Sequence, residues 1–348
     1  MPGLDSLARK PFREPWSGAE GYRLFYNENL FLPREYYVEL YRRLGDPEDT
    51  RFYSDPRNME ARMLLAKHLR IDPEMILLAP GVDALLSIIA DAAKVLGWRV
   101  SVPWPTYGMY REKLAARRVP FEEPILEDSW RRLPLDRIRG DAVIICSPNN
   151  PTGHTYPRDT VEELLDRGYS LVVVDETYAD YAGESLLDLV YKYDNLVLLR
   201  SFSKAWGLAG ARIGAAIGQE KAIAGLEALS DPYGLPLQSR RLLAAALELK
   251  HYVEKSIRET VEARERLYRG LEEAGVKPYP SKANFILFES TWAGDLLERL
   301  ASRGFLLRGF EGPLGAHLRV TVPPSPILEG FLEALKETLE EVEEYYRW

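Results

Sequence analysis

The sequence is organised around an apolar run that leads directly into a lysine: Leu196-Val-Leu-Leu-Arg-Ser-Phe-Ser-Lys-Ala-Trp-Gly-Leu-Ala-Gly-Ala-Arg212. Its first four residues have the length and composition of a buried strand, and polar residues follow where that strand ends. Lys204 stands beside Phe202, Ala205 and Trp206, a poor setting for a solvated ammonium group. Partial desolvation lowers the pKa of an amine and makes it a better nucleophile for a carbonyl carbon. A buried lysine in a glycine-rich turn would explain the same pattern.

Similar apolar runs recur through the first two thirds of the chain. Buried strands are predicted at 75–78, 99–102, 142–146, 171–174, 196–199 and 213–217. Helices are predicted between them at about 83–96, 107–116, 157–167 and 219–229. Apolar strands that alternate with helices are typical of an α/β domain whose mainly parallel sheet is covered on both faces.

The remaining segments predict a second, smaller unit. Residues 1–45 are interpreted as an arm and a first helix that pack with the small domain, and 46–237 as the large domain. Residues 238–348 are interpreted as a connecting helix, about 238–274, and a small α+β domain. Strands at 283–288 and 317–322 and helices at about 293–302 and 326–345 are expected there.

Composition narrows the function classes. The net charge of −8 argues against nucleic acid as a partner, because nucleic-acid binding needs a basic surface. The only cysteine, Cys146, allows neither an intrachain disulfide nor a cysteine-based metal site, so we expect a cytoplasmic protein without a metal. No apolar segment approaches the ~18 residues of a membrane span, and no signal peptide is visible. Scarce glutamine and abundant Arg and Glu suggest a thermophilic source.

Polar motifs follow four predicted strands. They are Ala79-Pro-Gly-Val-Asp83, Ser147-Pro-Asn-Asn-Pro-Thr-Gly153, Asp175-Glu-Thr-Tyr178 and Arg200-Ser-Phe-Ser-Lys204. Each motif alone also fits a turn or a helix cap. Ligands of such sheets bind outside the carboxyl ends of the strands, where these motifs are expected to meet. Ser201, Ser203 and Arg212 could hold a phosphate ester beside the lysine, so pyridoxal 5′-phosphate is the candidate cofactor.

The same motifs, in this order and spacing, closely resemble those of the fold-type I, class I and II aminotransferases, over nearly the whole chain. Within that superfamily the sequence is most similar to the histidinol-phosphate aminotransferase group. The supporting segments are Asn27-Glu-Asn29, Pro105-Thr-Tyr-Gly-Met-Tyr110, Ser281-Lys-Ala-Asn-Phe-Ile-Leu287 and Leu318-Arg-Val-Thr-Val322. The resemblance implies the fold-type I architecture of the pyridoxal-phosphate transferases.

The resemblance also implies roles for individual residues. Lys204 would form the Schiff base and shuttle a proton, and Asp175 would pair with the pyridine nitrogen. Further cofactor contacts would come from a set spread over the large domain: Asn150 and Tyr178 at the ring O3′, Tyr107 on the ring face, and Ser201, Ser203, Arg212 and the backbone of Val82 and Asp83 at the phosphate. Tyr53 would reach the phosphate of a partner subunit, which implies a homodimer with shared active sites.

Substrate residues follow by the same resemblance. Arg319 would grip the substrate α-carboxylate with a bidentate fork, and Asn29 and Phe31 would lie near the pocket. Arg308 is a candidate for a distal anionic group, although a surface ion pair fits it equally well. Leu30 stands where the family usually has proline, and Gly234 where it usually has asparagine. Both departures concern the substrate side of the site.

The leading hypothesis is an aminotransferase that works between histidinol phosphate and 2-oxoglutarate in histidine biosynthesis. The alternatives are an aromatic or broad-specificity amino-acid aminotransferase and a threonine-phosphate decarboxylase, which would release CO₂. A more remote alternative is a non-catalytic sensor that binds pyridoxal phosphate.

Overall fold

The computed structural model of the chain describes Trp16 and residues 18–347, so the start of the predicted arm lies outside the described residues. The strands are β1 (Tyr22–Arg23), β2 (Ile76–Ala79), β3 (Val100–Ser101), β4 (Phe121–Glu122), β5 (Ala142–Cys146), β6 (Leu171–Asp175), β7 (Leu196–Ser201), β8 (Gly214–Gly218), β9 (Lys277–Pro278), β10 (Phe285–Glu289), β11 (Phe305–Leu306), β12 (Arg308–Gly309) and β13 (His317–Thr321). The helices are α1 (Arg34–Arg42), α2 (Met59–Leu69), α3 (Val82–Leu96), α4 (Met109–Ala116), α5 (Arg158–Asp166), α6 (Ala179–Ala182), α7 (Glu220–Glu227), α8 (Leu237–Glu248), α9 (Lys250–Glu273), α10 (Ala293–Ser302) and α11 (Ser325–Tyr346). None of these described helices is long and apolar enough to cross a membrane.

The larger sheet has seven strands in the order β2-β8-β7-β6-β5-β3-β4. Its pairs are parallel except those of β8, which runs antiparallel to both neighbours. Alternate residues of the central strands enter two different cores: Val172 and Val174 face one, and Leu171 and Val173 face the other. The prediction of an α/β domain with a mainly parallel sheet buried on both faces is confirmed.

The strand ends meet at one edge of this sheet. Ser201 at the end of β7 pairs with Gly214 at the start of β8, and Gly214 pairs with Ala79 at the end of β2. On the other side, Asp175 of β6 pairs with Leu199 of β7 and Cys146 of β5. The loops that follow these strands, and the segment that enters β8, therefore converge at a single edge.

The smaller sheet has the order β12-β13-β10-β9, and its neighbours are antiparallel. Helices α10 and α11 pack on it around a separate core that contains Phe288, Leu296 and Phe331. The N-terminal arm reaches this unit: β1 pairs in parallel with β11, and Leu24 lies in the same core. Tyr36 and Leu40 of α1 lie instead in the core of one face of the large sheet. The domain boundaries at 45/46 and 237/238 stay a prediction.

The prediction of one long helix over about 238–274 is wrong, because Leu249 separates α8 from α9. Neither proline nor glycine marks the break. Leu249 leaves helical geometry with its side chain buried in the core of the large domain. Burial in that core therefore outweighs the helical propensity of the segment.

Gly214 offers a test of the strand-end geometry, because a Cβ there would come within 2.6 Å of the Gly81 carbonyl carbon and 2.7 Å of the Val82 nitrogen. Both atoms are backbone, so the clash cannot be relieved by rotating a side chain. We expect Gly214→Ala to lower the free energy of unfolding by about 1–3 kcal/mol in denaturant titration. Gly225→Ala is the matched control: a Cβ at this exposed glycine of α7 would meet nothing within 4 Å. It should leave stability unchanged or raise it by up to about 1 kcal/mol, and equal losses in both variants would contradict the packing.

Candidate active site

Lys204 lies just beyond the end of β7, half-buried, with its ammonium group donating to the Tyr26 carbonyl at 2.7 Å. The carbonyl belongs to the arm, so the arm covers the lysine. The pKa of Lys204 is lowered from 10.5 to about 8, mainly by burial and then by the positive charge of Arg319. The structure thus places a partly desolvated amine where the strand ends meet.

Asp175 is the last residue of β6 and its carboxylate is buried. Oδ1 accepts from the amide and hydroxyl of Thr177, at 2.9 and 2.6 Å, and Oδ2 accepts from the Tyr110 hydroxyl at 2.7 Å. Burial raises the pKa of Asp175, and these donors oppose that rise. A buried carboxylate held in this way is suited to face a protonated ring nitrogen.

A second polar group joins the arm to the strand ends. The Tyr178 hydroxyl accepts from Asn27 Nδ2 at 3.0 Å and lies 3.5 Å from Asn150 Nδ2. Burial raises the pKa of Tyr178, so the phenol stays protonated at neutral pH. Asn150 and Tyr178 are therefore adjacent, as expected for two groups that share one ligand oxygen.

The start of α3 forms a cradle for an anion. Gly81 has φ +82°, and a Cβ there would come within 2.7 Å of an Arg212 nitrogen. That guanidinium lies 3.4 Å from Asp83 Oδ2. Ser201 and Ser203 are both buried, and Ser201 pairs with Gly214, two residues after Arg212. The amide of Ser203 donates to Ser201 Oγ at 3.3 Å. Backbone N–H groups at a helix start, two hydroxyls and an arginine are the donors that a phosphate ester needs.

Tyr107 adjoins this cradle. Its hydroxyl donates to Asp83 Oδ1 at 3.2 Å, and its ring stands edge-on to Tyr110 at 5.5 Å. Burial raises the pKa of Tyr107, and the negative charge of Asp83 raises it further. The ring is held between the phosphate cradle and the Asp175 group, a position suited to stacking on a planar ligand.

Arg319 reaches the site from β13 of the small domain. One guanidinium nitrogen donates to Asn150 Oδ1 at 2.5 Å and another to the Phe25 carbonyl at 2.6 Å, while buried Nε has no partner. Burial lowers the pKa of Arg319 to about 10, and the nearby positive charge of Arg308 acts in the same direction. A buried arginine with a donor left unused is suited to bind an anionic substrate group.

The remaining predicted residues occupy other positions. Asn29 donates to the Ala205 carbonyl at 2.8 Å and to Ser256 Oγ at 2.9 Å, so its amide fixes the arm beside Lys204. Phe31 packs half-buried against the small-domain core. Tyr53 lies on the surface, 89% exposed, next to Tyr233 at 5.0 Å. Their ligand contacts stay predictions.

Two residues that the sequence analysis quoted without a role belong to the site. Tyr110 supplies a hydrogen bond to Asp175, and its signal was its spacing three residues after Tyr107. Asn27, in the left-handed region at φ 56°, joins Tyr178 to Thr321: it donates to the Tyr178 hydroxyl, and its backbone amide donates to Thr321 Oγ1 at 3.0 Å. An asparagine that tolerates this backbone conformation was the only local signal.

The donor set fits pyridoxal phosphate. A desolvated amine, a buried carboxylate, a hydroxyl–amide pair and an anion cradle follow strand ends at one edge of the large sheet. Each matches a different group of that molecule: the aldehyde, the ring nitrogen, the ring oxygen and the phosphate. Arg319 joins the same region from the small domain through its bond to Asn150, and its buried Nε has no partner among the described residues. The substrate role of Arg319 stays a prediction.

The depressed pKa of Lys204 makes a prediction for the cofactor-free protein. With a pKa of about 8, roughly one tenth of the amine is neutral at pH 7, against about 0.03% for an ordinary lysine. The rate of pyridoxal phosphate capture should therefore rise as pH rises through about 8 and then level off. Stopped-flow absorbance measures it. Arg319→Gln should shift the midpoint upward, Lys204→Ala should abolish capture, and a midpoint near 10.5 would contradict the burial argument.

The described geometry can be compared with known proteins. The family model of aminotransferase class I and II matches residues 22–335. A histidinol-phosphate aminotransferase of Pyrococcus furiosus is 35% identical over 341 residues, 94% of this chain and 96% of that protein. The enzyme of the same name from Thermococcus gammatolerans is 34% identical over 332 residues, 93% of this chain and 94% of that protein.

Solved structures have the same fold. The histidinol-phosphate aminotransferase of Sinorhizobium meliloti, in complex with pyridoxal-5′-phosphate, superposes with a TM-score of 0.85 at 24% identity, covering 96% of both chains. A Thermus thermophilus aspartate aminotransferase variant gives a TM-score of 0.79 at 22% identity, over 97% of this chain and all of the other. From its family match and its strand-end motifs, this chain belongs to the class I and II aminotransferases and is a pyridoxal-phosphate-dependent transaminase of fold type I.

Proposed function

We propose that this enzyme transfers an amino group between histidinol phosphate and 2-oxoglutarate, a reaction of histidine biosynthesis. Curated relatives named histidinol-phosphate aminotransferase are 30–35% identical to the chain over most of its length. The proposal also needs a feature of the site that suits such substrates, because the cofactor residues serve every aminotransferase. That feature is the arginine pair on β12 and β13.

Arg308 and Arg319 are directly opposite each other in the antiparallel β12–β13 pair, so their side chains leave the same face of the sheet. Two like charges at such positions repel, and the charge of Arg308 contributes to the lowered pKa of Arg319. An anionic ligand would relieve that repulsion. Histidinol phosphate carries a phosphate ester where an amino acid has its α-carboxylate, and 2-oxoglutarate offers a carboxylate, so both fit one arginine site. This pair is the observation that carries the proposal.

The chain's own groups then have defined tasks. When bound, the cofactor supplies an electron sink for negative charge that develops on the substrate Cα. The Nζ of Lys204, with its pKa near 8, is suited to take the Cα proton and to return it. Asp175 supplies negative charge at the end of β6, and Asn150 and Tyr178 orient the ligand between them. The arm, through the Tyr26 carbonyl and Asn29, covers Lys204 from solvent.

The test is a series of amino donors added singly to the loaded enzyme. We expect histidinol phosphate to convert the visible absorbance of the bound cofactor, and 2-oxoglutarate to restore it. Arg319→Lys keeps the charge but loses the planar fork, and it should lower kcat/KM for this donor by about tenfold or more.

Other outcomes would replace the proposal. Conversion only by phenylalanine, tyrosine or aspartate would indicate an aromatic or broad-specificity aminotransferase. CO₂ release from threonine phosphate would indicate a decarboxylase, and cofactor binding without turnover of any donor would indicate a sensor.

A homodimer with shared active sites is a further part of the proposal. Phe52, Tyr53 and Tyr233 are all exposed, at 66, 89 and 51%, and Tyr53 and Tyr233 are in contact. Exposed aromatic residues that lie together are a common feature of protein interfaces. A partner subunit would bury them and bring Tyr53 toward the partner's phosphate cradle.

Mixed subunits test this arrangement. Lys204→Ala and Tyr53→Ala are each expected to be impaired alone. In a mixture of both, each heterodimer contains one intact site, so activity should recover to roughly a quarter of the wild-type value. A mixture of Lys204→Ala with Lys204→Met should recover none. A monomeric mass in sedimentation, or no recovery by the first mixture, would contradict the shared site.

Cytoplasmic location and a thermophilic source remain inferences from composition. The single cysteine supports a reducing compartment such as the cytoplasm, and the high content of Arg and Glu supports a thermophilic source. Cell fractionation and thermal unfolding measure them directly.

A further inference from the structure

The segment between β4 and β5 forms a protruding turn with an uncommon backbone. Asp128, Ser129 and Trp130 follow one another in the left-handed region, with φ of 48°, 52° and 66°. Such a run of non-glycine residues is strained and persists only where the surroundings fix it. Glu127 fixes the base of the turn by pairing with Arg132 at 2.6 Å and with Arg137. The turn presents the ring of Trp130 to the small domain.

Trp130 contacts aromatic rings of both domains. On the large-domain side its ring stands edge-on to Trp104 at 6.2 Å. On the small-domain side it stacks on Tyr279 at 6.0 Å with an interplanar angle of 14°, and lies 5.1 Å from the ring of His317. The Tyr279 hydroxyl and His317 Nε2 are 3.2 Å apart, so the two small-domain rings form one unit. Trp130 is therefore an aromatic bridge across the domain interface.

The bridge ends on the strand that carries the substrate arginine. His317, Arg319 and Thr321 alternate along β13, so all three share one face of the small sheet, and all are buried. Each contacts something outside that sheet: His317 contacts Trp130, Arg319 contacts Asn150, and Thr321 contacts Asn27. The face of β13 is thus held at three points, and Arg319 is the middle one.

The other end of the bridge adjoins the cofactor side of the site. Trp104 lies three residues before Tyr107, and its backbone is hydrogen-bonded to the segment that leads to the turn: the amide of Leu126 donates to the Trp104 carbonyl at 2.7 Å. Trp130 therefore connects the loop of the predicted ring-stacking tyrosine with the strand of the substrate arginine.

We propose that Trp130 is a positioning residue that acts on substrate binding by holding β13 so that Arg319 meets Asn150 of the large domain. The proposal rests on the transaminase reaction and on the substrate role proposed for Arg319. Trp130 acts through its contacts with Trp104, Tyr279 and His317, which orient one domain against the other. Loss of its ring removes the contact between the His317 end of β13 and the large domain, while the Asn27 contact at the other end remains.

The variant to measure is Trp130→Ala, assayed with whichever amino donor the wild-type enzyme uses. We expect KM for the donor and for the 2-oxo acid to rise by about tenfold, with kcat changed less than about threefold and capture of pyridoxal phosphate unchanged. Trp130→Phe keeps a stacking ring and should stay within about threefold of wild type. His317→Ala removes the other side of the contact and should reproduce the rise in KM, which keeps the test open if Trp130→Ala folds poorly.

Trp292→Ala is the matched control. Trp292 is also half-buried and also stacks on a tyrosine, Tyr346, at 4.6 Å and 15°, but both residues belong to the small domain. This variant should lower the melting temperature and leave KM unchanged. Unchanged KM in Trp130→Ala, or an equal rise in Trp292→Ala, would overturn the proposal.

A double variant tests the route through the arginine. If Trp130 acts through Arg319, adding Trp130→Ala to Arg319→Lys should raise KM less than it does in the wild-type background. Fully additive effects would overturn that route. Failure of histidinol phosphate as donor would affect the proposed function alone, since these KM ratios can be measured with any accepted donor.

Discussion

The guanidinium group of Arg319 joins three distant parts of the chain. It comes from β13, donates to Asn150 in the loop after β5, and donates to the Phe25 carbonyl in the arm. Because the group is buried, it needs these acceptors, and burial already lowers its pKa. These two bonds tie the small domain to the arm and to the loop after β5. Arg308 stands opposite Arg319 and repels it, so the positive charge of the pair is not neutralised by these acceptors alone. An anionic ligand would neutralise it.

The site therefore depends on two kinds of constraint. Within the large domain, strand register alone brings Ala79, Gly214 and Ser201 side by side. The adjoining loops, which carry the cofactor-site residues, are therefore placed by the sheet. Between the domains none of the described strands pair at the site, and a few side-chain contacts fix the positions instead. They are Asn27 with Tyr178, Arg319 with Asn150, and Trp130 with His317. The first kind is a continuous ladder of hydrogen bonds, whereas the second consists of a few separate side-chain contacts.

These two kinds of constraint differ in how well sequence predicts them. The strands, the α/β class and the positions of Asn150, Asp175 and Lys204 followed from local apolar runs and the polar residues after them. Contacts between residues far apart in sequence, such as Asn27 with Tyr178 and Arg319 with Asn150, have no local pattern. The break at Leu249 was missed because core burial, rather than proline or glycine, interrupts the helix. The Trp130 turn was missed because its left-handed residues are not glycines.

The arm has a consequence for how the protein is made. Its strand β1 pairs with β11, and the Leu24 carbonyl accepts from the amide of Thr321, almost 300 residues later. During synthesis the arm leaves the ribosome well before β11 and β13, the strands that hydrogen-bond to it. The contacts of the arm with Tyr178 and Ala205 can therefore form earlier than its hydrogen bonds to β11 and β13. The segment that covers Lys204 is thus anchored at both ends by residues translated at very different times.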